Sequence, residues 1–92
     1  MSKKLEGKVA VVTGGSAGIG LGAAKRFAEE GARVFITGRD KAKLDEALAV
    51  IGHGASAIRT DAANLADIDR IYATVKAEAR RIDVLFVNAG VL

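Results

Sequence analysis

TGGSAGIG, residues Thr13–Gly20, contains four glycines in eight positions. It directly follows VAVVT at residues 9–13, an apolar run that is rich in β-branched side chains. Such a run is typical of a strand that is buried on both faces. Glycine weakens strands and helices alike, so its concentration here indicates a tight turn or a ligand that approaches the backbone closely.

The remainder of the chain alternates between strand-like and helix-like segments. Apolar residues recur at helical spacing in three segments, and Gly31 and Gly52 end the first two of them. The predicted elements, in chain order, are a strand at Val9–Thr13, a helix at Ile19–Glu30, a strand at Arg33–Thr37, a helix that runs from its N-cap Asp40 to Ile51, a strand at Ala55–Thr60, a helix at Leu65–Arg80 with Asn64 as its N-cap, and a strand at Asp83–Val87.

This β-α-β-α-β-α-β order predicts the α/β class, as a Rossmann-like, doubly wound parallel sheet with helices on both faces. Right-handed crossovers restrict the possible layouts, and the expected strand order is 3-2-1-4, with the sheet truncated after its fourth strand. The reversal between the first and fourth strands leaves a crevice at their carboxyl ends, where such sheets bind ligands. The glycine stretch and Asn88–Gly90 both leave their strands at that crevice.

The composition excludes several kinds of protein and site. The 92 residues are enough for one small domain, so we expect residues 1–92 to form a single domain. Cysteine is absent and His53 is the one histidine, which argues against disulfides and against a metal site. The net charge is only +3, and no stretch is apolar enough to span a bilayer. We therefore expect a cytoplasmic protein that binds neither nucleic acid nor a membrane.

The glycine turn between a strand and a helix is suited to binding a pyrophosphate. The N-terminus of a helix carries unpaired N–H groups and a partial positive charge, and side chains would keep phosphates away from it. Gly14 is expected to allow the turn, Gly18 to admit the phosphates, and Gly20 to let the helix pack close to the strand. Ser16 and Ile19 belong to the same segment and complete this part of the candidate site. The alternative is a tight turn that binds no ligand.

The spacing Thr13-Gly14-x-x-x-Gly18-x-Gly20 resembles the TGxxxGxG fingerprint of the short-chain dehydrogenases/reductases. The longer stretch LEGKVAVVTGGSAGIG, Leu5–Gly20, is similar to the opening of that family almost residue for residue. NAG at Asn88–Gly90 is similar to the family's NNAG motif, with Val87 in place of the first Asn.

The resemblance implies further cofactor-binding residues. Asp61 follows the third predicted strand, where the family commonly has an aspartate that bonds the adenine amino group. The candidate residues outside the glycine turn are therefore Arg39, Asp61, Ala62, Asn88, Ala89 and Gly90.

The end of the second predicted strand indicates which dinucleotide binds. NAD-binding Rossmann units carry an acidic residue here that holds the ribose 2′-OH. This chain has Gly38 at that position, followed by Arg39, whose guanidinium is suited to a 2′-phosphate. NADP(H) is therefore the preferred cofactor, and NAD(H) is possible. Two observations weaken the preference for NADP(H). Arg39 could instead be a solvated cation of the loop, and Ala17 stands where some NADP-binding members have a second basic residue.

The family's catalytic groups are a Tyr, a Lys four residues later, a Ser and an Asn. Tyr72 and Lys76 have that spacing, but they precede the NAG motif, whereas the family's pair follows it. Tyr72 also falls on an apolar stripe of the third predicted helix, so we expect its ring to pack on the sheet. The stripe consists of Leu65, Ile68, Tyr72, Val75 and Ala79. We therefore predict no catalytic residue in this chain.

Members of the family are normally more than twice this length, so the resemblance implies a partial NAD(P)-binding domain. The expected function is that of the NADP(H)-binding segment of an oxidoreductase that transfers hydride between nicotinamide and an alcohol/carbonyl substrate. We expect the chain alone to be inactive and to self-associate through the open edge of its fourth strand. The alternatives are a non-catalytic dinucleotide-binding module, a module that a partner completes, and a remnant that binds nothing well.

Overall fold

The structure is a computed structural model that describes residues 4–14, 16, 18–60 and 65–87. Within these residues the elements, in chain order, are β1 (Val9–Thr13), α1 (Gly18–Glu29), β2 (Arg33–Gly38), α2 (Lys41–Ile51), β3 (Ser56–Arg59), α3 (Leu65–Ala79) and β4 (Val84–Val87).

The four strands form one parallel sheet in the order β3-β2-β1-β4. The predicted fold class and strand order are therefore confirmed. The register pairs Thr13 with Thr37 and with Val87, so β1, β2 and β4 end at the same edge of the sheet. Gly38 pairs with Arg59, which brings the end of β3 to that edge as well.

Both faces of the sheet carry a core because alternate residues of each strand point to opposite sides. One core contains Ala10, Val12, Val34 and Ile36 from the strands, packed against the apolar stripes of α1 and α2. The other contains strand residues and two residues of α3: Val9, Val11, Phe35, Ile58, Ile71 and Val75. Helices on both faces make the sheet doubly wound.

The caps of α2 are those that the sequence predicts. The Asp40 carboxylate accepts hydrogen bonds from the backbone N–H groups of Ala42 at 2.9 Å and Lys43 at 3.2 Å. Gly52 ends the helix with φ +64°, in the left-handed region that glycine tolerates best. The predicted cap of α3, Asn64, lies outside the described residues.

Element boundaries differ from the predicted ones by one or two residues. The predicted helix at Ile19–Glu30 runs over Gly18–Glu29, β2 gains Gly38, and β3 loses both of its predicted ends. β4 begins at Val84 instead of Asp83. Asp83 uses both its backbone and its side chain to bond Val9, whose N–H donates to the carboxylate at 2.8 Å, so it anchors β4 beside the start of β1.

The prediction that Tyr72 packs on the sheet is wrong. Tyr72 is 50% exposed, whereas Ile71 is buried and Val75 lies four residues beyond it in the same core. Residues four apart lie on one helix face, so a buried Ile71–Val75 pair rotates Tyr72 toward the edge of that face. The predicted stripe is therefore shifted by one residue at this turn of α3.

β4 is covered on one face only. Val84 and Phe86 pack against the core beside α1, where Phe86 meets Phe27 edge to face at 6.4 Å between ring centroids. On the opposite face Leu85 is 49% exposed and Val87 is 65% exposed. α3 therefore covers only part of its side of the sheet.

Candidate functional site

The candidate site lies at the carboxyl edge of the sheet, where the turn after β1 faces the ends of β2 and β3. Crevices at this edge, beside the strand where the order reverses, are where open α/β sheets bind ligands. Here the reversal lies between β1 and β4. The topology therefore brings the predicted glycine turn and the predicted cofactor-selecting loop to one edge.

The glycine turn has the backbone geometry that its sequence predicts. Gly14 has φ +68° and Gly18 has φ +60°, values that side-chain-bearing residues adopt only with strain. A Cβ at Gly18 would meet no atom within 4 Å, so open space lies on that side of the turn. Gly20 is buried in α1, as its predicted packing role requires. Gly15 and Ala17 lie outside the described residues.

The first turn of α1 is suited to an anion, because the first backbone N–H groups of a helix have no partner within the helix. It contains no acidic side chain that would repel a phosphate. Ile19 lies in this turn and is 76% exposed. The open space at Gly18 and a first helical turn without acidic side chains fit a pyrophosphate group.

Ser16 brings the glycine turn into contact distance of the end of β2. A Cβ at Gly38 would lie 3.7 Å from Ser16 Oγ and 3.2 Å from Leu44 Cδ2. The sequence predicts that Gly38 leaves room for a phosphate, and the structure adds that Leu44 of α2 limits this room on one side. An acidic side chain at this position would have to displace Leu44 by a few tenths of an ångström.

Arg39 is exposed and lines a cleft of about 230 Å³ beside the end of β2. The other lining residues are Arg59, Thr60, Asp67 and Arg70. Three arginines and one aspartate give the cleft a positive charge. Sequence analysis identifies only Arg39 among them, although the pairing of Gly38 with Arg59 follows directly from the register of β2 and β3.

Hydrogen bonds hold the backbone around this cleft. The Arg59 side chain donates from Nε to the Arg39 carbonyl at 3.0 Å, and the Thr60 N–H donates to the Gly38 carbonyl at 2.8 Å. Arg70 donates from Nη2 to the Arg59 carbonyl and forms an ion pair with Asp67 at 3.4 Å. The Thr60 hydroxyl is buried and has no hydrogen-bond partner among the described residues, and nothing in the structure explains this.

The remaining predicted cofactor-binding residues lie outside the described residues. They are Asp61, Ala62, Asn88, Ala89 and Gly90. Their roles stay predictions. Within the described ranges, no group of His, Cys, Asp and Glu side chains is arranged to hold a metal ion. No helix of the same ranges has the length and hydrophobicity needed to cross a membrane.

Tyr72 and Lys76 line a different cleft, which runs along the second half of α3. This cleft of about 290 Å³ also contains Arg80, Arg81 and Ile82, which lead into β4. The start of β4 lies at the amino edge of the sheet, because Asp83 bonds Val9 at the start of β1. The two clefts share no lining residue, so Tyr72 and Lys76 lie outside the cleft of Arg39, although Tyr72 also borders an apolar groove with Thr13 and Val87.

The comparisons with known proteins agree with this architecture. The sequence model of the family described as "short chain dehydrogenase" matches residues 8–92. An oxidoreductase of Sarocladium schorii, asL5, is 52% identical over 88 residues, which cover 96% of this chain and 35% of that protein.

Solved structures show the same fold. A short chain dehydrogenase from Bacillus anthracis has a TM-score of 0.89 and 42% identity, and the match covers 95% of this chain and 36% of that one. L-sorbose reductase from Gluconobacter frateurii, complexed with NADPH and L-sorbose, has a TM-score of 0.87 and 35% identity, covering 99% of this chain and 36% of that one.

The chain spans about a third of the length of the curated relatives it matches, from 33% to 35% for three of the most similar. Its sheet order, its glycine turn and a family model that matches residues 8–92 lead to one conclusion. This chain belongs to the short-chain dehydrogenase/reductase family.

Proposed function

We propose that this chain is the NADP(H)-binding segment of an oxidoreductase that transfers hydride between C4 of nicotinamide and an alcohol/carbonyl carbon. NAD(H) is the second cofactor to consider. The observation that carries the proposal is the end of β2, where Gly38 occupies the position of the acid that NAD-binding units use and exposed Arg39 follows it. In this proposal residues 1–92 form one partial dinucleotide-binding domain of a cytoplasmic protein.

In this proposal the pyrophosphate binds at the N-terminus of α1. The residues that would hold it are Gly14, Ser16, Gly18, Ile19 and Gly20. The exposed Ile19 would be covered by the dinucleotide, and the backbone N–H groups beyond Gly18 would donate to phosphate oxygens. The nicotinamide ring would supply the hydride chemistry, and the described residues would bind and orient the adenosine and pyrophosphate parts.

We attribute the preference for NADP(H) over NAD(H) to the charge at the end of β2. A carboxylate at position 38 would accept the ribose 2′-OH and repel a 2′-phosphate, whereas Arg39 supplies paired N–H donors and a fixed positive charge. The NADPH complex of L-sorbose reductase, which shares the fold at 35% identity, supports this choice. We further propose that Asp61 and Ala62 contact the adenine, and that Asn88, Ala89 and Gly90 border the cofactor after β4.

Calorimetric titration with NADPH and NADH tests the proposal. The chain is expected to bind NADPH more tightly, and Arg39→Gln should cost about 1–3 kcal/mol of NADPH binding, as for hydrogen bonds to charged groups, while NADH binding changes little. Arg26→Gln is the matched control, because Arg26 is exposed on α1 and pairs only with Glu30, four residues on, among the described residues. Equal losses for the two cofactors in Arg39→Gln would remove Arg39 from the 2′-phosphate site.

The alternative is a dinucleotide-binding module that is non-catalytic or that a partner completes. Under both proposals the 92-residue chain alone oxidises no NADPH with ketones or aldehydes, because Tyr72 and Lys76 precede the NAG motif, whereas the family's catalytic pair follows it. Addition of a chain that carries the missing catalytic half separates the two. Restored turnover supports the oxidoreductase segment, including one that a partner completes, and a continued absence of turnover supports the non-catalytic module.

We also propose that the 92-residue chain self-associates through β4. This strand forms the edge of the sheet, and its outer face is apolar at Leu85 and Val87. These two residues border a groove that continues to α3, lined also by Val11, Thr13, Ile68, Ile71, Tyr72 and Ile82. An open edge beside an apolar face is a surface on which a second copy of the chain can pair.

A further inference from the structure

Three arginine side chains line the cleft at the ends of β2 and β3, and the structure distinguishes their roles. The Arg70 side chain has two partners: it forms an ion pair with Asp67 at 3.4 Å and donates a hydrogen bond to the Arg59 carbonyl. It joins the beginning of α3 to the end of β3 and pairs with Asp67, the one carboxylate among the described residues that line the cleft. Arg70 therefore acts as a structural residue.

Arg59 is placed differently. Its Nε donates to the Arg39 carbonyl at 3.0 Å, which fixes one side of the guanidinium against the loop that follows β2. In the described part of the chain, this is the one side-chain hydrogen bond of Arg59, and no carboxylate pairs with it. Its two terminal amino groups, Nη1 and Nη2, are consequently available to a ligand in the cleft.

The Arg39 side chain has no carboxylate partner among the described residues either, and it lines the same cleft. Two guanidinium groups that share a cleft without an intervening carboxylate repel each other, and a dianion between them relieves this repulsion. A phosphomonoester is such a dianion and matches the forked donors of arginine. Position 17, where a second basic residue would stand in the glycine turn, is alanine.

We propose that Arg59 is a second specificity-determining residue for the 2′-phosphate of NADP(H). This proposal rests on the proposed NADP(H) preference. It adds a residue of β3, Arg59, to the 2′-phosphate site, beside Arg39 in the loop that follows β2. Arg59 acts in two ways, because its Nε holds the Arg39 backbone in place while its terminal amino groups supply the second cation. Arg59 thereby supplies a second cation in a chain that has alanine at position 17.

The test uses two nucleotides that differ only in the 2′-phosphate: adenosine 2′,5′-bisphosphate and adenosine 5′-monophosphate. Each is titrated calorimetrically at about pH 8, where the second phosphate ionisation, with a pKa near 6, is complete. Arg59→Gln is expected to weaken bisphosphate binding about tenfold, the loss of one charge-assisted hydrogen bond, and to change monophosphate binding by less than about twofold. Arg59→Lys keeps the charge without the fork and should lose less than Arg59→Gln.

Arg26→Gln serves as the control for the loss of one positive charge far from the cleft, and it should change neither affinity. Thermal unfolding checks that each variant is folded. If Arg59→Gln does not fold, Arg59→Lys decides: a loss confined to the bisphosphate supports the inference, and unchanged or equally weakened binding refutes it. If Arg59→Gln folds, unchanged binding or an equal weakening of both nucleotides in that variant likewise refutes the inference.

The two proposals fail in different ways. If the unmodified chain binds both nucleotides equally, the NADP(H) preference is refuted, and the role of Arg59 with it. If the chain prefers the bisphosphate and loses that preference in Arg39→Gln but not in Arg59→Gln, only the role of Arg59 is refuted.

Discussion

Gly18 combines a left-handed backbone with open space. Its φ of +60° is costly for any residue that has a Cβ, yet a Cβ there would meet no atom within 4 Å. A packing requirement therefore does not explain the glycine; its positive φ does, and the open space leaves room for a ligand. Gly52 has the same two properties, with φ +64° and no atom within 4 Å of a Cβ, but it lies at the end of α2.

A comparison of Gly18 with Gly52 separates the cost of backbone strain from the exclusion of a ligand by a methyl group. Gly18→Ala and Gly52→Ala should each destabilise the chain by about 1–3 kcal/mol, the cost of a sparsely populated positive-φ conformation with a Cβ. Only Gly18→Ala should also weaken NADPH binding, because only its methyl group occupies the space proposed for phosphate. Chemical denaturation and calorimetry measure the two effects. Similar NADPH affinities in the two variants would contradict a phosphate role for Gly18.

At the scale of elements, Asp83 fixes β4 beside β1. Its carboxylate accepts from Arg81 Nε and from the Val9 N–H, both at 2.8 Å, and its own N–H donates to the Val9 carbonyl. The bond from Arg81, then that from Val9, lowers the pKa of the Asp83 carboxyl below its ordinary value of 3.8. The amino end of β4 is thereby held in the register that brings Val87 level with Thr13.

A carboxyl group with a lowered pKa in the folded state binds protons more readily after unfolding. Its contribution to stability is therefore complete above the unfolded pKa and is lost as the pH falls through the folded pKa. Asp83→Asn should lower the urea midpoint at pH 7 and have a smaller effect near pH 3. Asp69→Asn, at an exposed position of α3, is the control. If the urea midpoints of the unmodified chain and Asp83→Asn differed by the same amount at all pH values, the stabilising role of the ionised Asp83 carboxylate would be contradicted.

At the scale of the whole molecule, the two faces of the sheet are unequally covered. α1 and α2 cover one face, and α3 covers only part of the other, which leaves Leu85 and Val87 exposed on the edge strand. A two-fold dimer is the simplest closed arrangement that buries this surface, because each copy contributes the same patch. The two β4 strands would pair antiparallel, or the exposed faces would stack.

Light scattering over a range of concentrations tests the proposed self-association. The chain should form dimers, and Leu85→Lys should shift them toward monomers, because lysine on an edge strand disfavours both pairing and stacking. Val50→Lys is the matched control, since Val50 is a similarly exposed apolar residue, at 52%, but lies on α2. A monodisperse, cooperatively unfolding monomer at high concentration would show that the open edge is tolerated.

The sequence by itself determined the element order, the parallel sheet with its 3-2-1-4 order, the caps of α2 and the turn at Gly14 and Gly18. These features depend on local signals: apolar runs, helical periodicity, capping side chains and glycine, together with the handedness of crossovers. The cofactor-binding roles of Asp61 and Asn88 remain predictions, because both residues lie outside the described ranges.

Only the tertiary structure decided which residues of α3 face the sheet and which side chains join Arg39. The stripes through Ile71 and Tyr72 differ by one residue, and the choice between them depends on how α3 docks on Val11 and Phe35. Arg59 reaches Arg39 because β2 and β3 pair Gly38 with Arg59, residues far apart in the chain. Periodicity specifies an element's faces, whereas docking and strand register specify which faces and which charges meet.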